Sequence, residues 1–237
     1  MGSEVNTSMP FLFFDPTFII LIPGFLLALF AQWKVQSTFN YYSGIRASNG
    51  YTGAQVAAEL LRRQGITDVT IEQVGGTLAD HYDPRTKKLR LSPDVYGSDS
   101  LAAVGVAAHE TGHALQHRDG YAPLALRSAI VPAATLGTNA AWILFILGIV
   151  TGVTRLMDVG IVLFLGYVVF SLVTLPVELN ASNRAVVVLQ GQGLVAPQEA
   201  AGVRSVLNAA ALTYVAAAAV AILSLLRLVL IRQSRRD

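Results

Sequence analysis

Residues 159–177 read VGIVLFLGYVVFSLVTLPV, a run without a charge, closed by Asp158 on one side and Glu178 on the other. Crossing ~30 Å of hydrocarbon at ~1.5 Å per residue takes about 20 apolar residues in a helix. The run is long enough to cross. Three others like it occur, between Asp15 and Lys34, between Arg127 and Arg155, and between Arg204 and Arg227. As core helices of a soluble protein they would need polar outer faces, which they lack, and 237 residues cannot cover four of them. Composition points the same way, with 53% hydrophobic residues against 14% charged and a mean hydropathy of +0.53. A mostly α membrane protein with about four transmembrane helices in the lipid bilayer is expected.

Four spans put both termini on one side. The 93 residues from Val35 to Arg127 and the 27 from Glu178 to Arg204 then share the other side and should meet. The division is an N-terminal segment and first span at 1–33, an extramembrane domain at 34–127, spans at 128–154 and 158–177, a second extramembrane segment at 178–204, a last span at 205–231 and a basic tail at 232–237. The opening MGSEVNTSMP has no Lys or Arg ahead of the apolar run and carries Glu4, so the first span is expected to stay as an anchor rather than be cleaved. Trp33, Tyr41 and Tyr42 suit an interfacial belt, and Arg227 suits a side chain snorkelling to the interface. Lys34, Arg46, Arg118, Arg127, Arg184 and Arg204 lie on the domain side, and Arg155, Arg232, Arg235 and Arg236 lie opposite. This balance leans toward a cytoplasmic domain, although the basic tail pulls the other way.

The extramembrane part has its own signals. Thr52 followed by Gln55 forms a plausible capping box, and Val56, Ala57, Leu60 and Leu61 make one helical stripe ending at Gly65. VTIEQV alternates over 69–74, and TLADHY and KKLRLS flank a turn at Asp83, Pro84, Arg85 and Thr86. A small sheet or hairpin follows, giving an α+β element at one membrane face. From Asp99 or Ser100, either a good N-cap, a helix is expected to run to His117, closed by Asp119 and Gly120.

The chain has no cysteine, which excludes disulfides, zinc ribbons, iron–sulfur clusters and thiol nucleophiles, so a metal would rest on four histidines and the carboxylates. The formal charge of +2 is too small a margin to imply nucleic acid as a partner. On the helix just described, His109, Glu110, Thr111, Gly112 and His113 read H-E-x-x-H. Residues four apart share a helical face about 6 Å apart along the axis, so both imidazoles can reach one zinc ion at ~2.0–2.1 Å. Glu110 beside them is placed to take a proton from a zinc-bound water and pass it to a leaving nitrogen. His117 lies ~12 Å along the axis from His109 and ~80° around it, so it cannot share that ion and is better placed as a helix C-terminal cation. Asp158, at the far end of its span, faces the wrong side of the membrane. Glu178 is the better third ligand, emerging just after Pro176, where a second helix would carry it and Ser182 on one face. Asp80, Asp83, Asp94, Asp119 and Glu199 remain competitors. For stabilising a developing oxyanion, His81, Tyr82 and Arg184 have suitable chemistry.

Several long blocks in order carry a family resemblance: FFDPTFIILIPG, KVQSTFNYYSGIRASNGYTGAQVA, DHYDP, VAAHETGHALQH, GYAPLALRSAIVP, LPVELNAS and LNAAALTYVAAA. Over nearly its whole length the chain resembles the YugP-type membrane zinc metallopeptidases. That family is itself similar to the HtpX-type and CAAX-prenyl membrane proteases, gluzincins in which a glutamate from a later helix joins the two histidines on zinc. The resemblance implies a zincin-like element holding one Zn2+ per chain, with His109, His113 and Glu178 as ligands and Glu110 as the catalytic acid and base. It also implies a protein or peptide substrate and a multi-pass place in a bacterial cell membrane. The HtpX-like pattern has an aspartate after its E-x-x-A that is thought to buttress a ligand histidine. Here Glu178, Leu179, Asn180 and Ala181 are followed by Ser182, so Ser182 or Asn180 is expected to make that hydrogen bond, more weakly. Two other functions use the same parts, a zinc-pinned scaffold without catalysis and a hydrolase of non-peptide amides. Glu110 argues against the scaffold, since structural zinc does not need it.

Overall fold

The structure, a computed structural model, describes residues 16–235. Glu4, Asp15 and Arg236, on which parts of the argument above rest, lie outside the described residues. A 3-10 turn, Pro16–Leu21, leads into α1 (Ile22–Ser43), followed by α2 (Gly53–Arg63), β1 (Thr70–Gln73), β2 (His81–Asp83), β3 (Lys88–Leu91) and a short α3 (Pro93–Tyr96). Then come α4 (Leu101–Arg118), α5 (Ala122–Thr151), α6 (Thr154–Gly191) and α7 (Pro197–Gln233). Among the described residues, Pro16–Ser43, α5, α6 and α7 are each long and apolar enough to cross a bilayer. The chain is therefore a mostly helical membrane protein with a small α+β element.

Each of these helices continues beyond its uncharged run. α1 passes Lys34 and ends nine residues later at Ser43, and α7 begins before Arg204. α6 passes straight through Pro176, so Glu178 rides on the spanning helix itself rather than on a second helix. A proline removes one N–H from the ladder. Packing of α6 against α5, α7 and α4 outweighs that loss. Charges thus mark where lipid contact ends, while the backbone ladder runs on into the extramembrane layer.

Within the spanning layer, Phe145, Met157, Phe164 and Leu228 are buried together between α5, α6 and α7. α5 and α6 approach closely where Gly160 meets Ala141, since a Cβ at 160 would stand 2.8 Å from the Ala141 carbonyl oxygen. Leu29, Trp33, Leu136, Val150 and Val162 point outward and exposed, an apolar surface suited to lipid.

Outside that layer α4 is the axis. Its alanines and glycines at 102, 103, 105, 107, 108, 112 and 114 let α2, the sheet, α6 and α7 come close. α2 starts at a capping box, with the Thr52 Oγ1 accepting from Gln55 N at 3.3 Å and Gln55 Oε1 accepting from Thr52 N at 2.9 Å. It buries Val56, Ala57, Leu60 and Leu61. The sheet has the order β1-β3-β2, with β1 parallel and β2 antiparallel to the central β3. Asp83 closes the β2–β3 hairpin by accepting from Arg85 N at 2.9 Å and Thr86 Oγ1 at 2.7 Å. Leu89 and Leu91 of β3 are wholly buried in one cluster with Ala103 and Ala107 of α4. β2 is the edge strand beside the candidate site, and β1 is the other edge.

Candidate metal centre

Ser100 caps α4, its Oγ accepting from Ala103 N at 3.2 Å, and a backbone bridge to Arg46 ties this end to the segment after α1. Two and a half turns on, His109 and His113 meet edge to face with ring centroids 4.8 Å apart. α6 crosses α4 at this level because Gly112 has no side chain: a Cβ there would lie 2.4 Å from the Ala181 carbonyl oxygen. The crossing brings Glu178, only 2% exposed, against both rings. Its Oε2 lies 3.2 Å from His109 Nε2 and 3.6 Å from His113 Nε2. Two donors at ~2.05 Å from a tetrahedral ion stand ~3.3 Å apart, so these spacings fit one zinc-sized ion. The three side chains, with donor atoms within 4.8 Å of one another, could hold a metal ion.

Hydrogen bonds behind the donors set their chemistry. Gln116, fully buried, donates its amide Nε2 to Val177 O at 2.8 Å and to Asn180 Oδ1 at 3.0 Å, which turns its Oε1 toward His113 Nδ1 at 3.0 Å. His113 therefore carries its proton on Nδ1 and presents a lone pair at Nε2. Ser182 Oγ takes the same place behind His109 Nδ1, at 3.1 Å. Arg127 donates from Nη1 to the other Glu178 oxygen, Oε1, at 2.8 Å, leaving Oε2 for the histidines. Burial opposes charge on His113, but the Glu178 carboxylate, able to accept from the charged imidazole, and the nearby Glu110 charge outweigh it and raise the imidazole above its usual pKa. The spot favours a cation.

These residues open onto a cavity of about 280 Å³, also lined by Glu110, Tyr214, Ser128 and the β2 residues His81 and Tyr82. Glu110 is 7% exposed. Among the described residues its carboxylate makes no hydrogen bond or ion pair. All four residues singled out in the sequence are thus brought together, and the competitors are engaged elsewhere or stand in the open. Asp80 lines the same cavity, but its carboxylate is taken up by Ser92 N and Oγ; Asp83 closes the hairpin, Asp119 pairs with Arg118 and Arg184, Glu199 holds Ser48, and Asp94 is exposed on α3. Asp158 pairs with Arg232 at the other end of α6, with Oδ1 2.6 Å from Nε. His117 stands apart, its Nδ1 accepting from the Tyr82 hydroxyl at 2.8 Å. Burial first, then Asp68 and Asp83, push that phenol up to about 12, so it stays a donor.

Residues 17–233 match the family described as "Putative neutral zinc metallopeptidase". The chain belongs to that family. It is 47% identical over 211 residues, covering 89% of this chain and 94% of the relative, to the "Putative membrane protease YugP" of Bacillus subtilis (strain 168). No solved structure matches it. For a zinc metallopeptidase family member, two imidazoles and one carboxylate are a fitting donor set, and zinc is the metal the family's description names. Sequence reasoning missed Arg127, Gln116 and Tyr214 as residues of this centre. Gln116 had a usable signal, standing three residues after His113 on the same helix, and so did Tyr214, the one aromatic residue in the alanine-rich last run.

Proposed function

We propose that the chain is a zinc-dependent endopeptidase, with His109, His113 and Glu178 as ligands and Glu110 as the group that moves protons. The observation that carries this is Glu110, a buried carboxylate left without a partner in the cavity that the three donors share. A zinc ion held by those donors would supply Lewis acidity and bring the pKa of water down to about 7. Glu110 accepts the proton that the attacking water gives up and returns it to the leaving nitrogen. Arg127 holds Glu178 by its outer oxygen, and the buried amide of Gln116 holds His113 in its tautomer.

Negative charge developing on the scissile carbonyl oxygen needs a donor. His81 is spent, with Nδ1 donating to Ala79 O at 2.8 Å and Nε2 facing Arg90 Nη1 at 3.2 Å. Tyr82 donates to His117, and Arg184 lies outside the cavity on Asn180 and Asp119. Arg127, with further N–H groups beyond the one on Glu178, and the Ser128 hydroxyl are the cavity donors left for that oxygen, the Tyr214 hydroxyl being engaged with Glu178. The outer edge of β2 offers an extended peptide a strand to pair with as it enters.

Zinc content and cleavage of unfolded casein by purified wild type, Glu110→Gln and Glu178→Ala test the assignment. Wild type should hold one zinc and cleave. Glu110→Gln should keep the zinc and lose at least about 100-fold in rate, the scale of general acid–base catalysis. Glu178→Ala should lose the zinc. Equal zinc in all three with cleavage by none would sink the proposal.

A further inference from the structure

A second cavity lies away from the metal centre, a groove of about 610 Å³ between α1 and α7. The two helices run antiparallel, Gly24 facing Val220 and Leu223 while Tyr42 faces Gly202. The groove changes character along its length. Phe30 and Leu212 line one end, and Lys34, Thr38, Ser205 and Asn208 line the remainder. Phe30 belongs to the uncharged run that ends at Trp33, and Lys34 stands ~6 Å further along the axis. That is about the depth of the headgroup layer outside the hydrocarbon core. The groove therefore begins among acyl chains and ends among headgroups.

Its polar end is built to donate. Among the described residues Lys34 makes no ion pair and no carboxylate lines the groove. Thr38 is only 8% exposed, yet among the described residues its hydroxyl has no hydrogen-bond partner. Thr38 lines the groove, so that hydroxyl can be bonded from there. The Asn208 amide is likewise without a partner among the described residues, and Arg204, exposed one residue before Ser205, adds a second cation nearby. Exposed Trp33 beside Lys34 marks the interface level.

We propose that this groove binds one anionic phospholipid, with its phosphate against Lys34, Thr38 and Asn208 and an acyl chain along Phe30 and Leu212. A zwitterionic headgroup would bring an amine for which the groove has no carboxylate, so the preference is for a net-negative lipid. Leu212 lies two residues from Tyr214, so the bound lipid packs on the helix that carries Tyr214 to the metal centre. The proposal does not depend on catalysis.

The test is native mass spectrometry of the full-length protein in neutral detergent, given equal amounts of dioleoylphosphatidylglycerol and dioleoylphosphatidylcholine. One phosphatidylglycerol should be retained over phosphatidylcholine by about fivefold, the factor one basic group is worth near an anionic headgroup. Lys34→Gln should abolish that preference and Lys34→Arg keep it. Thr38→Val and Asn208→Ala should each weaken retention. Lys88→Gln, whose ammonium sits 2.6 Å from Glu72 on the sheet, should change nothing. Equal retention of the two lipids by wild type, or an undiminished preference in Lys34→Gln, overturns the proposal. So does a dimer that forms without lipid and is lost in Lys34→Gln, which would make a second copy the occupant.

Discussion

Glu178 is asked to bind with one oxygen, and Arg127 is what keeps the other from competing: its Nη1 holds Oε1 at 2.8 Å while Oε2 faces the histidines. Removing the guanidinium leaves a buried carboxylate free to rotate and poorly neutralised. Arg127→Met should therefore weaken zinc binding by roughly 10- to 100-fold, the usual effect of removing a group that buttresses a ligand. Arg127→Lys, able to make one of the bonds, should recover part of it. Competition with a chromophoric chelator measures this, and equal affinities in wild type and Arg127→Met would show that the pair does not hold the ligand. At this scale the sequence was legible where chemistry has a helical period. His109 and His113 declare themselves by spacing, and Glu178 by its place at the end of a span. Arg127 was hidden because a cation at a span boundary has an ordinary explanation, and only the fold shows that it points inward to Glu178.

α4 and α6 meet through one missing side chain. A methyl group at Gly112 would stand 2.4 Å from the Ala181 carbonyl oxygen, so Gly112→Ala must push the helices apart and carry Glu178 away from His109 and His113. The expected cost is about 1–3 kcal/mol of stability together with loss of zinc. Gly105→Ala, on the same helix, puts its methyl 3.4 Å from Val203 Cγ1, an ordinary contact. It should be neutral or gain up to about 1 kcal/mol from helix propensity. Thermal unfolding and zinc content of the two variants separate packing from propensity, and similar behaviour would refute the close crossing. The end of α4 is tied to α6 by Asp119, whose carboxyl is held below its usual value first by Arg118 and then by Arg184. Because its folded pKa is lowered, this tie is fully present above the ordinary aspartate range and is lost as pH falls through the depressed value. Asp119→Asn should lower the melting temperature more at pH 7 than at pH 3, where wild type has begun to lose the tie. An equal difference at both pH values would count against it. Local signals such as the Thr52 and Gln55 cap and the Asp83 turn were readable because their partners are three residues away or fewer. The unbroken course of α6 through Pro176 was not, because packing by distant helices decides it.

Across the whole molecule, the four long helices put the sheet, α2, α4 and the metal centre together at one end, while Asp158, paired with Arg232, lies at the other end of α6. Orientation then follows from where basic residues flank the spans. The end with the metal centre carries Lys34, Arg46, Arg118, Arg127, Arg184 and Arg204, and the opposite end, among the described residues, carries Arg155, Arg227, Arg232 and Arg235. The orientation rule counts Lys and Arg near span ends rather than net charge, so the pairing of Arg127 and Arg184 with carboxylates does not remove them from it. The metal centre should therefore face the cytoplasm. The absence of native cysteine makes this directly testable with single cysteines. Arg85→Cys reports on the hairpin turn and Val153→Cys on the short connection between α5 and α6, and both positions are exposed. In intact bacterial cells a membrane-impermeant maleimide should label position 153 and leave position 85 unlabelled until the cells are opened. Labelling of 85 alone would keep the spans and invert the orientation, showing that the basic tail outweighs the larger set. Labelling of both from outside would break the four-span arrangement itself, since these two positions must lie on opposite sides if α5 crosses once.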